Sequence, residues 1–306
     1  MTPAATEVSA ARIWIAGARP RTLPAAVVPV AVGTAAVSGP IIAWRAVAAL
    51  VVALALQVAT NYVNDYADGV RGTDDARVGP LRLVASGSAT AAQVKAAAAL
   101  AFAVAGVAGA ALAMAVGSEL LVVGAVSMLA GWAYTGGPKP YGYLGLGELF
   151  VFVFFGLVAT AGSTYVHTEA LTAVNEGLVD DMAVSLVAAV PVGLLAVALL
   201  VINILRDDPA DTESGKRTLA VRLGDPGTRL MYQGLLIAVA AGIVAVTLLG
   251  RPWALIGLLG LVVARDPLRR VRADTRAADL IPALAGTAQV QLLTGLLLAV
   301  GLVLSR

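Results

Sequence analysis

The chain has 306 residues, of which 59% are hydrophobic and only 13% charged, with a formal net charge of +2 and a mean hydropathy of +0.87. So little polar surface excludes a soluble globule, and the absence of cysteine excludes disulfides and thiolate metal sites. The small net charge gives no reason to expect a nucleic-acid partner, and the composition is that of an integral membrane protein with lipid as its surroundings.

Arg12, Arg19, Arg21 and the helix-breaking "RPRTLP" precede the first oily run, a poor pattern for a cleavable signal, so the first span is expected to be retained. Apolar stretches near 23–38, 46–63, 91–116, 120–135, 144–165, 183–205, 230–249, 252–264 and 286–304 have about the length that crosses a bilayer, the eighth being short. Unpaired backbone groups are costly in lipid, and Ala/Leu/Val runs without period-two alternation favour helices over a closed barrel. The expectation is an all-α integral membrane protein, a bundle of nine transmembrane helices forming one domain over 1–306. Pro191 is placed to kink the sixth helix. Apart from Arg45, Arg251 and Arg306, the Lys and Arg residues fall in the segments on one side, which makes that side, with the N-terminus, cytoplasmic in a cell membrane. Trp14, Trp44, Trp132 and Trp253 fit an interfacial belt, and His167 is expected at the opposite face, in contact with solvent and without a chemical role.

Two charged segments stand out, about 64–90 and 203–229. Asp65 and Asp68 are spaced by three, Asp207 and Asp211 by four, so each pair shares a face if the preceding span continues for another helical turn. Asn61 and Asn203 each stand four residues before the first acid, which is compatible with an internal duplication. Carboxylates beside hydrocarbon cost roughly 2.5–3.5 kcal/mol each at the bilayer centre and less near its edge, so they must face inward or toward water. Oxygen ligands without nearby His or Cys favour Mg²⁺ or Ca²⁺ over zinc. Arg71, Arg77, Arg82, Arg206, Lys216 and Arg217 crowd the same segments, and guanidinium groups bind phosphate oxygens in bidentate fashion. Acids and bases interleaved in this way suit a metal-bridged polyphosphate. For Asp74, Asp75 and Asp208 a solvated loop is the stronger reading. "ESGKRT" lacks the upstream glycine of a phosphate loop, because Asp211 occupies that position, and is rejected as a nucleotide site.

The strings "ARPRTLPAAVVPV", "NYVNDYADGVRGTDD" with "RVGPLRLVASG", "YTGGPKPYGYLGLGELFVFVFFG" and "INILRDDPADTESGKRTLAVRLG" resemble the UbiA-type intramembrane prenyltransferases, most of all the branch that acts on 1,4-dihydroxy-2-naphthoate. Asn64, Asp65 and Asp68 match the first family motif, whose last position here is Gly72, with a later acid at Asp74; Asp207 and Asp211 match the second, followed by Gly215, Lys216 and Arg217. The resemblance implies a helical bundle around a central cavity, capped by the acidic loops and open laterally for an isoprenoid tail within membrane lipid. It implies as substrates a polyprenyl diphosphate and 1,4-dihydroxy-2-naphthoate, with Mg²⁺ as cofactor and demethylmenaquinone, CO2 and diphosphate as products. Asp65, Asp68, Asp74, Asp207 and Asp211 are then the expected metal ligands, and Arg82, Arg206, Lys216 and Asn64 the diphosphate contacts. Lys139, Tyr134 and Tyr141 are the expected residues at the acceptor, Lys139 pairing with a carboxylate or with diphosphate. The rivals are a sister enzyme using 4-hydroxybenzoate and a cation-coupled transporter; the latter would place its acids near the midplane rather than at span ends.

Overall fold

The computed structural model of the chain describes residues 9–73, 81–169, 180–213, 216–273, 275 and 277–306; the side chains at 10, 208–213 and 277 lie outside that description. The helices are α1 (Ala10–Ala18), α2 (Pro24–Ala36), α3 (Ala43–Arg71), α4 (Ala91–Ala115), α5 (Glu119–Ala133), α6 (Gly147–Val151), α7 (Ala159–Thr168), α8 (Asp181–Glu213), α9 (Leu219–Leu248), α10 (Arg265–Arg272) and α11 (Ile281–Leu304), and no strand occurs among the described residues. A π-helical turn, Phe152–Val158, joins α6 to α7, and 3₁₀ segments occupy Pro20–Thr22, Tyr141–Leu144, Pro252–Ala264 and Ala277–Leu280. Among the described residues six helices are long and apolar enough to cross a membrane: α3, α4, Gly147–Thr168, α8 as far as Asp207, α9, and Ala278–Leu304. The other three expected spans fall on shorter apolar elements, α2, α5 and the 3₁₀ segment Pro252–Ala264.

That 3₁₀ segment explains the short eighth stretch. Thirteen residues at a 3₁₀ rise of about 2.0 Å each extend ~26 Å, against ~20 Å as an α-helix. Ala254, Gly257 and Gly260 recur every third residue and are buried, so a threefold screw stacks them on one face. α11 packs on that face closely enough that a Cβ on Gly260 would lie 2.4 Å from the Thr294 Cα.

α8 is the central element, and its inward residues Val192, Leu195, Ile202 and Leu205 join α2, α9 and α11 in the main apolar core. A smaller core around Tyr62, Val63, Leu83 and Val94 ties α1 and α3 to α4. α8 runs helically through Pro191, whose ring packs opposite Gly242 of α9. α9 is broken once, where Gly224 takes φ 69° and ψ 171° and Pro226 starts the long segment.

The end of the bundle remote from the acidic motifs is laced by charge. Arg45 pairs with Glu169 and donates to the Val166 carbonyl (2.9 Å), while Arg251 donates to Ser38 Oγ (2.7 Å), which itself bonds Asp181. His167 lies here as expected but does not simply face solvent. It is buried, and its Nδ1 accepts a hydrogen bond from the Ile42 N–H at 3.2 Å, so the ring staples α7 to the start of α3.

Candidate active site

Both acidic motifs lie on helical extensions rather than loops. α3 continues to Arg71 before Gly72 ends it in the left-handed conformation, and α8 continues to Glu213. Spacings of three and four therefore do set each pair on one helix face. Asp74 lies outside the described residues, as does the side chain of Asp211.

Asp68 and Asp207 line one small polar pocket of about 50 Å³, together with Arg19, Asn64, Arg82, Tyr134, Thr135, Tyr143, Asn203 and Lys216. The pocket opens the polar end of a larger cavity of about 420 Å³, and Arg19, Asn64, Tyr134 and Asn203 line both. The rest of the large cavity is mostly apolar, walled by residues of α2 to α5, the Gly147–Thr168 helix and α8.

Within the first pair the two carboxylates have different duties. Asp65 is fully buried, and its Oδ2 and Oδ1 accept the N–H groups of Leu83 (2.8 Å) and Val84 (3.0 Å). It does not line the pocket; it fixes the turn on which Arg82 reaches it. Asp68 accepts the Tyr143 hydroxyl and stands 3.6 Å from Lys216 Nζ. Lys216 lies 4.7 Å from the centroid of the Tyr143 ring and Arg71 lies 5.5 Å from it, so two cations contact this tyrosine. Burial first, then the Asp68 charge and hydrogen bond, push the Tyr143 phenol well above its ordinary range, and it stays a donor.

In the second motif Arg206 grips Asp207 through Nε (2.9 Å) and Nη2 (2.8 Å), and the same Nη2 bonds Asn203 Oδ1 at 2.7 Å. The side chains of both members of that ion pair are 2% exposed, and Arg206 is not among the residues lining the pocket. Its Nη1 is buried and has no hydrogen-bond partner among the described residues. Arg206 is thus the counter-ion of Asp207 rather than a wall of the pocket.

The acceptor residues are also redistributed. Lys139 is exposed in the turn after α5 and lines neither cavity. Tyr141 lines the large cavity, but its hydroxyl donates to the Ala130 carbonyl (2.9 Å) and burial raises its phenol far above the ordinary value, which suits a wall and not a base. Its ring stacks 4.0 Å from Phe150 and meets Tyr134 edge-on at 5.5 Å. Tyr134 touches both cavities.

Residues not expected from sequence complete the site. Arg19 follows α1 with φ 53° and ψ 71°, a strained backbone for a non-glycine residue. The amides of α3 hold that corner: Asn61 Nδ2 donates to the Ala18 carbonyl (2.9 Å) and Thr22 Oγ1 (3.0 Å), and Gln57 Nε2 donates to the same Thr22 oxygen (3.1 Å). Arg71 clamps the carbonyls of Thr135 and Gly137, and Thr135 donates to Asn64 Oδ1 at 2.6 Å. The sequence signals were the prolines of "RPRTLP" and the polar Gln57 and Asn61 inside an oily span.

The π turn keeps a single wall facing the cavity. Phe150, Phe154, Val158, Gly162 and Val166, spaced by four, all line it. In a straight α-helix each such step drifts about 40°, and the wider π turn absorbs part of the drift. Gly156 permits it, since a Cβ there would lie 2.6 Å from the Gly193 Cα of α8.

The donor set fits a hard divalent cation. Among the described residues no three His, Cys, Asp or Glu side chains converge, but Asp68, Asp207, Asn64 and Asn203 line one polar pocket, and Mg²⁺ needs only one or two carboxylates when phosphates and water complete its shell.

Residues 26–280 match the model of the UbiA prenyltransferase family. The chain is 46% identical over 288 residues to a 1,4-dihydroxy-2-naphthoate octaprenyltransferase of Mycobacterium tuberculosis, covering 94% of this chain and 95% of that one. It is 34% identical to the Escherichia coli protein of the same name, with 98% of each covered. A UbiA homolog from Archaeoglobus fulgidus, solved bound to GPP and Mg²⁺, superposes with a TM-score of 0.63 at 15% identity over 95% of this chain and 99% of that one. With helices apolar enough for repeated membrane crossing and a family match over most of its length, this multi-pass membrane protein belongs to the UbiA prenyltransferase family.

Proposed function

We propose that the protein transfers a polyprenyl group from a polyprenyl diphosphate to 1,4-dihydroxy-2-naphthoate, releasing diphosphate and CO2 and giving demethylmenaquinone. The observation that carries this reading is the junction of a charged pocket of about 50 Å³ with a larger, mostly apolar cavity of about 420 Å³. The names of the mycobacterial and enterobacterial relatives supply the acceptor.

Asp68 and Asp207 would hold Mg²⁺, with Asn64 and Asn203 beside them, and Asp74 and Asp211 are further candidate ligands. Bound there, the metal would neutralise the leaving diphosphate. Arg82 and Lys216 bind the remaining phosphate oxygens, while Asp65 and Arg206 position Arg82 and Asp207. The allylic C–O bond breaks, and the cationic prenyl carbon is shielded from water by Phe150, Phe154 and Phe155. The ring carbon bearing the carboxylate forms the new C–C bond, and loss of CO2 restores aromaticity. Arg19, at the junction of the two cavities, orients the naphthoate carboxylate in place of the exposed Lys139. Leu121 and Val123 of α5 line the cavity and are themselves exposed, which supports a lateral opening along α5 into membrane lipid for the tail. In this reading α2, α5 and the 3₁₀ segment also cross, making nine spans, with the charged pocket at the cytoplasmic face of the cell membrane.

The test is purified protein incubated with Mg²⁺, a polyprenyl diphosphate and either 1,4-dihydroxy-2-naphthoate or 4-hydroxybenzoate, with chromatography of the lipid product. A prenylated product from the naphthoate alone is expected. Product only from 4-hydroxybenzoate would assign the sister reaction, and no product from either acceptor would overturn prenyl transfer.

A further inference from the structure

We propose that α10 and the lipid-facing stripe of α9 form a binding site for an anionic phospholipid. Arg265, Arg269 and Arg272 are exposed at positions i, i+4 and i+7, one stripe of α10, while Pro267 and Val271 are buried on the other side. Arg270 is paired with Asp266 (2.9 Å), so the charge left on the helix is concentrated in that stripe.

The stripe is held in place. Arg229 of α9 is bidentate to Asp225 and donates to the carbonyls of Val271 (2.5 Å) and Thr275 (2.8 Å), tying down the C-terminal end of α10. Arg272 Nε donates to Gln233 Oε1 at 3.0 Å. Gln233 sits on α9 between Leu230 and Ile237, which are 69% and 73% exposed, and Val244 continues that line seven residues on. A row of arginines therefore begins where a row of lipid-facing apolar side chains ends. That is the pattern of one phospholipid, its acyl chain along α9 and its phosphate at the guanidinium groups. A charge bias that only sets topology needs a count of basic residues near a span, not a rigid stripe registered against an apolar one.

Delipidated protein in detergent, titrated with dioleoylphosphatidylglycerol, dioleoylphosphatidylcholine or inorganic phosphate and read by native mass spectrometry, tests this without any turnover. The phosphatidylglycerol is expected to bind about 10²-fold more tightly than the phosphatidylcholine, from roughly fivefold per arginine. The R265Q/R269Q/R272Q variant is expected to lose that preference with its thermal unfolding unchanged. Equal binding of the two lipids by the wild type, retention of the preference by the triple variant, or displacement of the lipid by equimolar phosphate would overturn the proposal. Should the variant not fold, raising NaCl from about 0.1 to 1 M must release phosphatidylglycerol from the wild type by tenfold or more; insensitivity to salt would refute the site equally.

Discussion

The two acidic helix ends carry the same kind of carboxylate pair and use it differently. At the end of α3, Asp65 turns both oxygens to backbone N–H groups of the turn that carries Arg82, and only Asp68 enters the polar pocket. At the end of α8, Asp207 enters the pocket, and the structural duty passes to a neighbouring cation, Arg206. Among the described side chains, each helix end thus offers one pocket carboxylate backed by one buried partner that fixes charge or geometry. The lesson is that a motif of acids names a neighbourhood, and hydrogen-bond partners decide which oxygen remains for a ligand.

The sharpest way to break this comparison is to remove the pocket carboxylates. Asp68→Asn and Asp207→Asn should each lower prenyl transfer by about 10²–10³-fold and raise the Mg²⁺ concentration needed for half-maximal rate, measured by product formation across a Mg²⁺ series. Asp65→Asn should cost about 10–100-fold with the Mg²⁺ requirement near that of the wild type, together with a lower melting temperature from weakened bonds to Leu83 and Val84; a shifted Mg²⁺ requirement would erase the distinction between the two aspartates. Arg19→Gln should raise the KM for the naphthoate by about tenfold while leaving the KM for the prenyl diphosphate within a fewfold, which separates acceptor from donor binding in steady-state kinetics. Tyr143→Phe removes the donor to Asp68 but keeps the ring that Arg71 and Lys216 contact, and a loss of about three- to tenfold in rate is expected. The smallest effect belongs to Lys139→Ala, whose rate should remain within about twofold because an exposed side chain outside both cavities has nothing to stabilise.

Much of the site was legible because it lies at helix ends, where spacing converts directly to position. Asp68, Asp207, Lys216, Asn64 and Arg82 were all named from sequence and all line the pocket. Tyr134, named from sequence as an acceptor residue, also lines that pocket, being the residue just past α5. Arg19 escaped notice because arginines near a first span are ordinarily topology signals; its place at the pocket follows from a backbone corner held by Gln57 and Asn61 from a different helix. Lys139, also named from sequence, stands exposed outside both cavities, since a lysine in a glycine- and proline-rich turn can point either way and only the packing of Arg71 on that turn shows which. In the fold, the short eighth stretch illustrates the same limit. Hydropathy marked residues 252–264 as apolar, but their 3₁₀ winding comes from the close approach of α11 to Ala254, Gly257 and Gly260.

By itself, the sequence determined that this is a membrane protein, that its spanning elements are helical, and that carboxylates and cationic side chains gather at the ends of two of them. Those are consequences of hydropathy, backbone hydrogen bonding and helical period, all local quantities. Tertiary structure alone decided which carboxylates face the pocket, which arginine is a counter-ion, and where polar pocket and apolar cavity meet. The assignments of Asp65 and Asp68 depend on partners 18 to 75 residues away in the chain, and no local rule specifies which of two neighbouring charges will find its partner inside the fold.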